Sequence, residues 1–463
     1  MTPNWIKRLF SKRSEGAIGC IDFGTAFSKF AIVETTESKG LGEEKIHPLA
    51  IGQDIHFNRY LLPSILFLTE DEVLFGQPAE KAALRQSTEG RRAFTSLKRY
   101  ISTSAIGSLN EALPADIDPT ETYTASELIT AYLAYLLHRA ELAAQAEKLA
   151  WPPKLRVARP AWDAERTKLG EPMMRGFVRH AFILFDRLEA KIGSEGGVSH
   201  TDLRAALSEI PDTSDFPDSE IFHFTESGTA TVCEAAAVAA ASVRYPGPRI
   251  VVIADIGGGT SDFSAYATHH GRSLILEEVK GSTRSLGEAG DALDACVLDQ
   301  LMRKSGLPDQ DPLLEPSRIV LQARQRELKE ILFSEGQVIA DVGDVSVILT
   351  EAEFLADPVV AAFSQRLKDT FLETVGVAVS AAQKAAETGF HMPIEIMPTG
   401  GGFALPMVAE MIETIPHEWR FIPAAPDLFQ SRNPDFDLNF RQLAVSVGGA
   451  LKDLPIQSVA ESN

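Results

Sequence analysis

Runs of apolar residues alternate with polar segments along the 463-residue chain, and their spacing predicts a mixed α/β protein. Two β-rich runs break at Asp, then Gly, then Thr, in residues 18–25 and in residues 250–260. Each break is followed by another strand-like run, residues 26–33 and residues 261–266. Both glycine turns are therefore predicted to join the two strands of a hairpin rather than a strand and a helix.

Helices are predicted between and after the hairpins. Apolar residues have helical spacing over residues 126–149, and an alanine-rich helix is expected over residues 229–243, after a strand at 221–224. The segment Pro246-Gly247-Pro248 is a break that marks the expected boundary between two large lobes. Further helices are expected from residue 163 and at about 200–209, 287–304, 316–335, 358–387 and 443–451.

A third glycine motif follows the predicted strand at residues 394–398. It consists of Thr399, Gly400, Gly401 and Gly402, and it precedes a helix that starts near Leu405. None of the three motifs has the glycine spacing of a Walker or Rossmann loop, and the two hairpin turns also lack the helix that follows such a loop. One such motif could equally be an ordinary hairpin turn, but three in this order favour a phosphate clamp built from two halves of the molecule.

Composition and charge narrow the class of protein. The chain is 44% hydrophobic and 23% charged, as in globular proteins, and its formal charge of −20 argues against a nucleic-acid-binding surface. The three cysteines, Cys20, Cys233 and Cys296, lack metal-site spacing and suit a reducing compartment. We therefore expect a cytoplasmic protein.

The N-terminal residues 4–13 have a different character. Trp5, Ile6, Leu9 and Phe10 share one helical face, with basic residues beside and opposite them. This pattern is consistent with a weak interfacial contact with the inner face of a membrane, but the segment is short, so a frayed solubilising tail is the favoured interpretation. The sequence contains no run of about eighteen apolar residues, so no membrane span is predicted.

The glycine motifs resemble those of the actin-like ATPase superfamily, and within it the Hsp70-like nucleotide-binding domain. Residues 22–25 resemble the first phosphate motif of that family, residues 255–262 its second, and residues 399–406 its adenosine motif. The resemblance covers about residues 17–455. It implies an α/β, two-lobed actin-like (ribonuclease H-like) ATPase fold with a nucleotide cleft between the lobes.

The resemblance also divides the chain and leaves no segment for the β-sandwich that binds client peptides in Hsp70 chaperones. The implied parts are a basic amphipathic N-terminal segment (1–16), lobe I (17–247, small subdomain about 53–125), lobe II (248–437, small subdomain about 287–371), and a C-terminal helix that returns to lobe I, with a tail (438–463).

By this resemblance, ATP and Mg²⁺ would bind between the lobes. Glycine amides would approach the phosphates closely because glycine has no Cβ, and Asp22 and Asp255 would hold Mg²⁺ through its waters. For Arg326 and Lys329, the alternative is a basic stripe exposed to solvent. The implied nucleotide-binding residues are Gly24, Thr25, Ala26, Gly257, Gly258, Gly259, Thr260, Arg326, Lys329, Gly400, Gly401 and Gly402.

The resemblance further implies four catalytic residues. Lys98 would supply a cation, Glu226 would orient the attacking water, and Thr260 and Asp262 would lie near the γ-phosphate. Glu234 is the rival for the water-orienting acid, and Glu226 is favoured because it ends a predicted strand. The alternatives are an exposed lysine at a helix end for Lys98 and a solvated strand-edge acid for Asp262.

Departures from the family lie at the base-binding end. Ala404 stands where the family has an arginine that stacks on adenine, and Glu330 and Phe333 stand where it has Arg and Ser. Phosphate binding is therefore implied more firmly than adenine specificity.

The expected function is slow, Mg-dependent ATP hydrolysis that switches the conformation of the cleft for an unknown partner protein. Two alternatives remain open. One is an actin-like filament or membrane-attached scaffold, consistent with the amphipathic N-terminal segment. The other is a small-molecule kinase or phosphatase of the same superfamily, for which the sequence carries no specific signature.

Overall fold

The computed structural model describes thirteen segments of the chain, which form a mixed α/β protein with several β-sheets. Glu226 and the amphipathic residues 4–13 lie outside these segments, so their predicted roles stay predictions. The described residues are 16–34, 44–52, 58–103, 106–162, 164–192, 196–210, 218–224, 230–242, 247–270, 274–416, 420–421, 434–452 and 454–455.

Both strands and helices occur throughout the described segments. The strands are β1 (Ala17–Asp22), β2 (Phe27–Glu34), β3 (Lys45–Pro48), β4 (Leu62–Pro63), β5 (Leu66–Leu68), β6 (Glu72–Phe75), β7 (Lys154–Arg159), β8 (Gly197–Ser199), β9 (Thr231–Cys233), β10 (Arg249–Ile256), β11 (Ser261–His270), β12 (Leu274–Glu278), β13 (Arg284–Leu286), β14 (Gln337–Val342), β15 (Val345–Thr350), β16 (Ile394–Thr399) and β17 (Arg420–Phe421). The helices are α1 (Gln77–Gln86), α2 (Leu97–Thr103), α3 (Ala125–Ala146), α4 (Ala164–Leu188), α5 (His200–Ser208), α6 (Glu234–Ser242), α7 (Gly290–Lys304), α8 (Leu314–Glu335), α9 (Glu351–Leu355), α10 (Pro358–Glu387), α11 (Pro406–Glu413) and α12 (Pro434–Ala450).

The two large sheets have the same strand order. The first sheet runs β3-β2-β1-β7-β9 and the second runs β12-β11-β10-β16-β17. In each sheet the first two neighbouring pairs are antiparallel and the last two are parallel. The two halves of the chain thus repeat one sheet topology, although they share little sequence beyond the Asp-Gly-Thr motifs.

The central strand of each sheet is buried along its length. Every residue of β1 is buried, and all of β10 except Arg249 is buried. Strands covered on both faces have continuous apolar sequences rather than alternating ones, as in residues 250–254. This is why both runs were recognisable as strands from the sequence.

Helices α6 and α12 pack against each other between the two sheets. Helix α12 contacts β1, β2 and β7 of the first sheet, whereas α6 contacts β10 and β11 of the second. Their crossing is very close: a Cβ built on Gly448 would lie 1.7 Å from the carbonyl oxygen of Ala237. The alanine-rich sequence of α6 allows this approach because its side chains are small.

Three predicted boundaries were wrong. The alanine-rich helix begins at Glu234 and not at residue 229, because residues 231–233 pair with β7 as a short parallel strand. Helix α7 begins at Gly290 rather than at about residue 287, and the short strand of residues 284–286 that precedes it pairs with β11. The C-terminal helix extends back to Pro434. The long helix over residues 358–387 is confirmed.

None of the helices in the described segments combines the length and the apolar character that crossing a membrane would need.

Candidate functional site

The turns of the two hairpins face each other. The first glycine turn (residues 23–26) joins β1 to β2, and the second glycine turn (residues 257–260) joins β10 to β11. A Cβ built on Gly259 would lie 3.0 Å from Thr25 Oγ1, and one built on Gly258 would lie 3.4 Å from the Cβ of Ala26. The two sheets therefore bring their glycine turns almost into contact.

A cavity of about 420 Å³ lies against these turns, and we call it the central cavity. The third glycine turn (residues 400–402) forms part of its wall, following β16, which runs parallel to β10 with Thr399 opposite Asp255. Glycine is required at position 400: its φ is +80°, and a Cβ there would lie 2.2 Å from the carbonyl oxygen of Ile256.

Buried acids lie at the ends of the hairpin strands. Asp22, Asp255 and Asp262 are each less than a tenth exposed. Burial, and then repulsion from Asp262 and Asp22, raises the pKa of Asp255 to about 7. Burial also raises the pKa of Asp262, which accepts a hydrogen bond from Thr260 Oγ1 at 2.8 Å. Its other oxygen is buried and has no hydrogen-bond partner among the described residues.

Uncompensated buried carboxylates are expensive, so this cluster suits a cation. Among the described residues, no three His, Cys, Asp or Glu side chains converge as a direct ligand set for a metal. Mg²⁺ does not require one, because it keeps most of its water and binds through one or two carboxylates together with phosphate oxygens. Asp22 and Asp255 line the cavity and fit that mode of binding.

Lys29 is a site residue that no sequence motif indicated. It lies on β2 opposite Asp22, lines the central cavity, and donates a hydrogen bond of 2.9 Å to Asp22 Oδ2. The signal was present in the sequence, because the antiparallel register of the first hairpin places a residue near the start of β2 opposite Asp22. Lys29 therefore adds a cation to the acid cluster.

Lys98 and Glu234 form a buried ion pair at the same cavity. Lys98 belongs to α2, and Glu234 is the first residue of α6, directly after β9. Burial lowers the pKa of Lys98, while Asp22, Asp255 and Asp262 oppose that shift. The interpretation of Lys98 as an exposed lysine is therefore wrong.

Glu234 has the position at a strand end that was expected of Glu226. Glu226 was preferred because it ends a predicted strand, yet Glu234 follows β9 directly and lines the central cavity. Strand β9 escaped detection because it has only three residues and merges into the alanine run. Glu226 lies outside the described segments, so its own position is untested.

Helix α8 closes another side of the cavity. Arg326 lies 5.0 Å from the ring centroid of Phe27, and Lys329 Nζ contacts Asp294 Oδ1 at 2.7 Å and the carbonyl oxygen of Gly290 at 3.0 Å. Both residues line the central cavity, so they are not a basic stripe exposed to solvent. Phe333, one helical turn beyond Lys329, lines it too.

Arg441 of α12 also reaches this cavity, and no sequence motif indicated it. Its guanidinium lies 4.8 Å from the ring centroid of Phe403, which follows the third glycine turn. Ala404, where the resembled family has an arginine, lines the same cavity.

A second cavity, of about 720 Å³, adjoins the central cavity. It lies between α1, residues 91–99 and α8, and the two cavities share Phe27, Asp291 and Arg326 among their lining residues. At their junction Ser96 Oγ donates to Asp291 Oδ2 at 3.4 Å, and Ser96 has a positive φ of 54°.

The structure brings nearly all the predicted site residues together. Asp262 is the exception among those it describes: it lies beside the cavity, behind Thr260, and is buried rather than a solvated edge acid. The predicted residues that line the central cavity are Asp22, Gly24, Thr25, Ala26, Lys98, Asp255, Gly257, Gly258, Gly259, Thr260, Arg326, Lys329, Gly400, Gly401 and Gly402.

Comparison of the chain with models of known protein families gives no match, and comparison with curated proteins gives none either. The case for a function therefore rests on the sheets and the site alone.

Proposed function

We propose that this chain is an Hsp70-like member of the actin-like ATPase superfamily, with two lobes that bind Mg-ATP between them. The observation that carries this proposal is the meeting of two Asp-Gly-Thr turns, contributed by two sheets of identical strand order. A site shared in this way between two halves of one chain suits a ligand that must touch both.

The phosphate chain of ATP fits the glycine turns. Backbone amides of the first and second glycine turns provide neutral donors, and Lys29 and Lys98 provide positive charge beside them. Mg²⁺, held through its waters by Asp22 and Asp255, would neutralise part of the phosphate charge. The raised pKa of Asp255 fits this role, since a nearby cation would favour its ionised form.

Hydrolysis requires a positioned water and a group that accepts its proton. Glu234 is our candidate for this group, because its carboxylate lies at the cavity wall and Lys98 holds it in place. Asp22, Asp255 and Asp262 also interact electrostatically with Lys98 and favour its charged form. We expect slow turnover, and a γ-phosphate that touches both glycine turns would couple turnover to opening of the cavity.

Equilibrium binding and phosphate release test the proposal. Purified protein is expected to bind ATP and ADP with Mg²⁺, to hydrolyse ATP slowly, and to lose tight binding in Asp22→Ala and Asp255→Ala. A panel that includes GTP measures base preference. The proposal fails if no nucleotide binds, or if both alanine variants behave as wild type.

A small-molecule kinase is the second candidate, favoured by the adjoining cavity of about 720 Å³. An acceptor bound there would lie next to the central cavity, with Asp291 at the junction as a carboxylate within reach of a hydroxyl. An acceptor that raises ATP turnover by orders of magnitude would favour this candidate. Turnover unchanged by a broad set of polyols and amino compounds would count against it.

A further inference from the structure

The first glycine turn has few side-chain atoms of its own to fix its conformation. Gly24 has none, and the side chains of Thr25 and Ala26 lie against the second glycine turn. The turn is tight, since a Cβ built on Gly24 would lie 2.1 Å from the carbonyl oxygen of Phe27. A turn that must present its amides to a ligand in one conformation therefore needs support from the residues on the side away from the central cavity.

Three buried hydroxyl groups lie on that side of β2. Successive side chains of a strand point to opposite faces, so Lys29 lines the central cavity whereas Ser28 faces α3. Ser28 Oγ lies 2.9 Å from Ser64 Oγ, and the hydroxyl of Tyr132 lies 3.0 Å from Ser28 Oγ and 3.3 Å from Ser64 Oγ. The three residues are at most 2% exposed. We call them the hydroxyl triangle, in which each hydroxyl can donate one hydrogen bond and accept another.

The hydroxyl triangle is connected to both ends of the first glycine turn. At the last residue of the turn, the carbonyl oxygen of Ala26 accepts a hydrogen bond of 2.9 Å from the backbone N–H of Ser64. At the first residue, the buried ring of Phe23 lies 5.8 Å from the ring of Tyr132, centroid to centroid. Burial raises the pKa of Tyr132, so its hydroxyl keeps its proton. Tyr132 therefore contacts one end of the turn directly and the other end through Ser64.

We propose that Tyr132 is a positioning residue of the phosphate site, which holds the first glycine turn through the hydroxyl triangle in the conformation that receives phosphate. The inference rests on the proposed nucleotide binding and adds a residue that contacts neither the nucleotide nor the metal. A turn that is already ordered binds more tightly, because binding does not have to order it. Loss of the Tyr132 hydroxyl should therefore weaken phosphate binding and spare the catalytic step, since Lys98 and Glu234 belong to other elements.

Steady-state hydrolysis of Mg-ATP by Tyr132→Phe tests this role. We expect KM to rise about tenfold, the effect of one buried hydrogen bond worth about 1.4 kcal/mol, with kcat within about twofold of the wild-type value. The affinity for Mg-tripolyphosphate, a probe that has no base, should fall by the same factor because the turn would contact only phosphate. A purely structural defect would leave part of the protein unfolded, which lowers the apparent kcat and leaves KM unchanged.

Tyr135→Phe is the matched control. Tyr135 lies three residues further along α3 and is equally buried, but its ring stacks on Phe75 of β6 at 5.0 Å between centroids. Loss of its hydroxyl is expected to leave KM for Mg-ATP unchanged. Thermal unfolding of both variants without ligand shows whether the fold is retained.

Ser64→Ala tests the hydroxyl triangle from a second corner. It removes a hydroxyl and keeps the backbone N–H that bonds to Ala26, so KM should rise as it does in Tyr132→Phe. The double variant should lose little more than either single variant, because hydroxyls that form one network act as a unit.

The outcomes separate this inference from the proposed function. An unchanged KM in Tyr132→Phe, a lower kcat at unchanged KM, or an equal rise of KM in Tyr135→Phe would each overturn the positioning role while leaving nucleotide binding intact. If Tyr132→Phe does not fold, Ser64→Ala decides by the same criteria. A wild-type protein that neither binds nor hydrolyses Mg-ATP overturns the inference and the proposed function together.

Discussion

The ammonium of Lys98 and the carboxylate of Glu234 form a buried ion pair between α2 and the first residue of α6. Three aspartates also act on Lys98 electrostatically, so this one cation is shared between Glu234 and the acid cluster. A buried pair of this kind is costly to break by removing one partner. Its presence at the cavity wall gives the site a carboxylate whose position is fixed by a neighbouring charge.

Glu234→Gln is therefore expected to slow ATP hydrolysis by about 100-fold, because the amide keeps the shape of the side chain but cannot accept a proton. Nucleotide affinity should change little. Single-turnover phosphate release measures the first effect and equilibrium binding the second. The matched variant is Glu226→Gln, which we expect to hydrolyse ATP at the wild-type rate. If Glu226→Gln hydrolyses ATP slowly while Glu234→Gln remains active, then Glu226 and not Glu234 is the group that accepts the proton.

The pKa of Asp255 makes stability depend on pH. In the folded protein it is raised from an ordinary value of 3.8 to about 7, so the folded state holds this proton more tightly than the unfolded chain does. The resulting stabilisation is fully present below about pH 4 and is lost as the pH rises through about 7. Without ligand, Asp255→Asn is expected to gain about 1–3 kcal/mol at about pH 8 in urea unfolding, and little at about pH 4.

Without ligand, Asp255→Asn is expected to be more stable than the wild type at about pH 8. Mg-ATP should make the wild type the more stable of the two. The ion needs the ionised carboxylate, so the rise in melting temperature on adding Mg-ATP should be larger at about pH 8 than at about pH 6. Asp255→Asn should show almost no rise at either pH. Equal stabilisation of wild type and variant by Mg-ATP would contradict the assignment of Asp255 as the residue that holds Mg²⁺.

At the third glycine turn, variants of Gly400 and Gly401 distinguish effects on stability from effects on ATP binding. Gly400→Ala is expected to lose at least about 2 kcal/mol of stability, because φ is positive and the new methyl group would meet the carbonyl of Ile256. A Cβ on Gly401 would meet no protein atom within 4 Å, so Gly401→Ala should change stability by less than about 0.5 kcal/mol. If the nucleoside lies against this turn, Gly401→Ala should still weaken ATP binding. Chemical unfolding and ATP titration of both variants check these expectations.

Two helical glycines provide a similar contrast. Gly448→Ala would place its methyl group 1.7 Å from the carbonyl oxygen of Ala237, so it should cost about 3 kcal/mol by forcing α6 and α12 apart. Gly376→Ala, inside α10 with no atom within 4 Å, should instead stabilise the protein by up to about 1 kcal/mol. Denaturant midpoints measure both effects, and a midpoint of Gly448→Ala at or above that of the wild type would show that the α6–α12 contact is looser than described.

The glycine turns and their acids could be predicted because the signals are local: an apolar run, an acid, and glycine before a second strand. Lys29 needed one further step, since its partner follows from the hairpin register. The start of the helix that carries Glu234 was predicted too early. The reason is that a three-residue strand beside an alanine run produces no periodicity that distinguishes strand from helix. Arg441 could not be predicted, since its place at the cavity depends on how α12 packs against a turn some forty residues earlier in the chain.

The packing of α6 against α12 has a mechanical consequence. Ridges of large side chains lock most helix pairs in one register, and moving them requires new rotamers. At this crossing a glycine backbone lies against an alanine backbone, and the carbonyl oxygen of Ala237 occupies the place that a Cβ on Gly448 would need. Sliding α12 along α6 would bring a residue with a Cβ against that carbonyl, so a single position without a side chain fixes the register of the two helices that contact the two sheets.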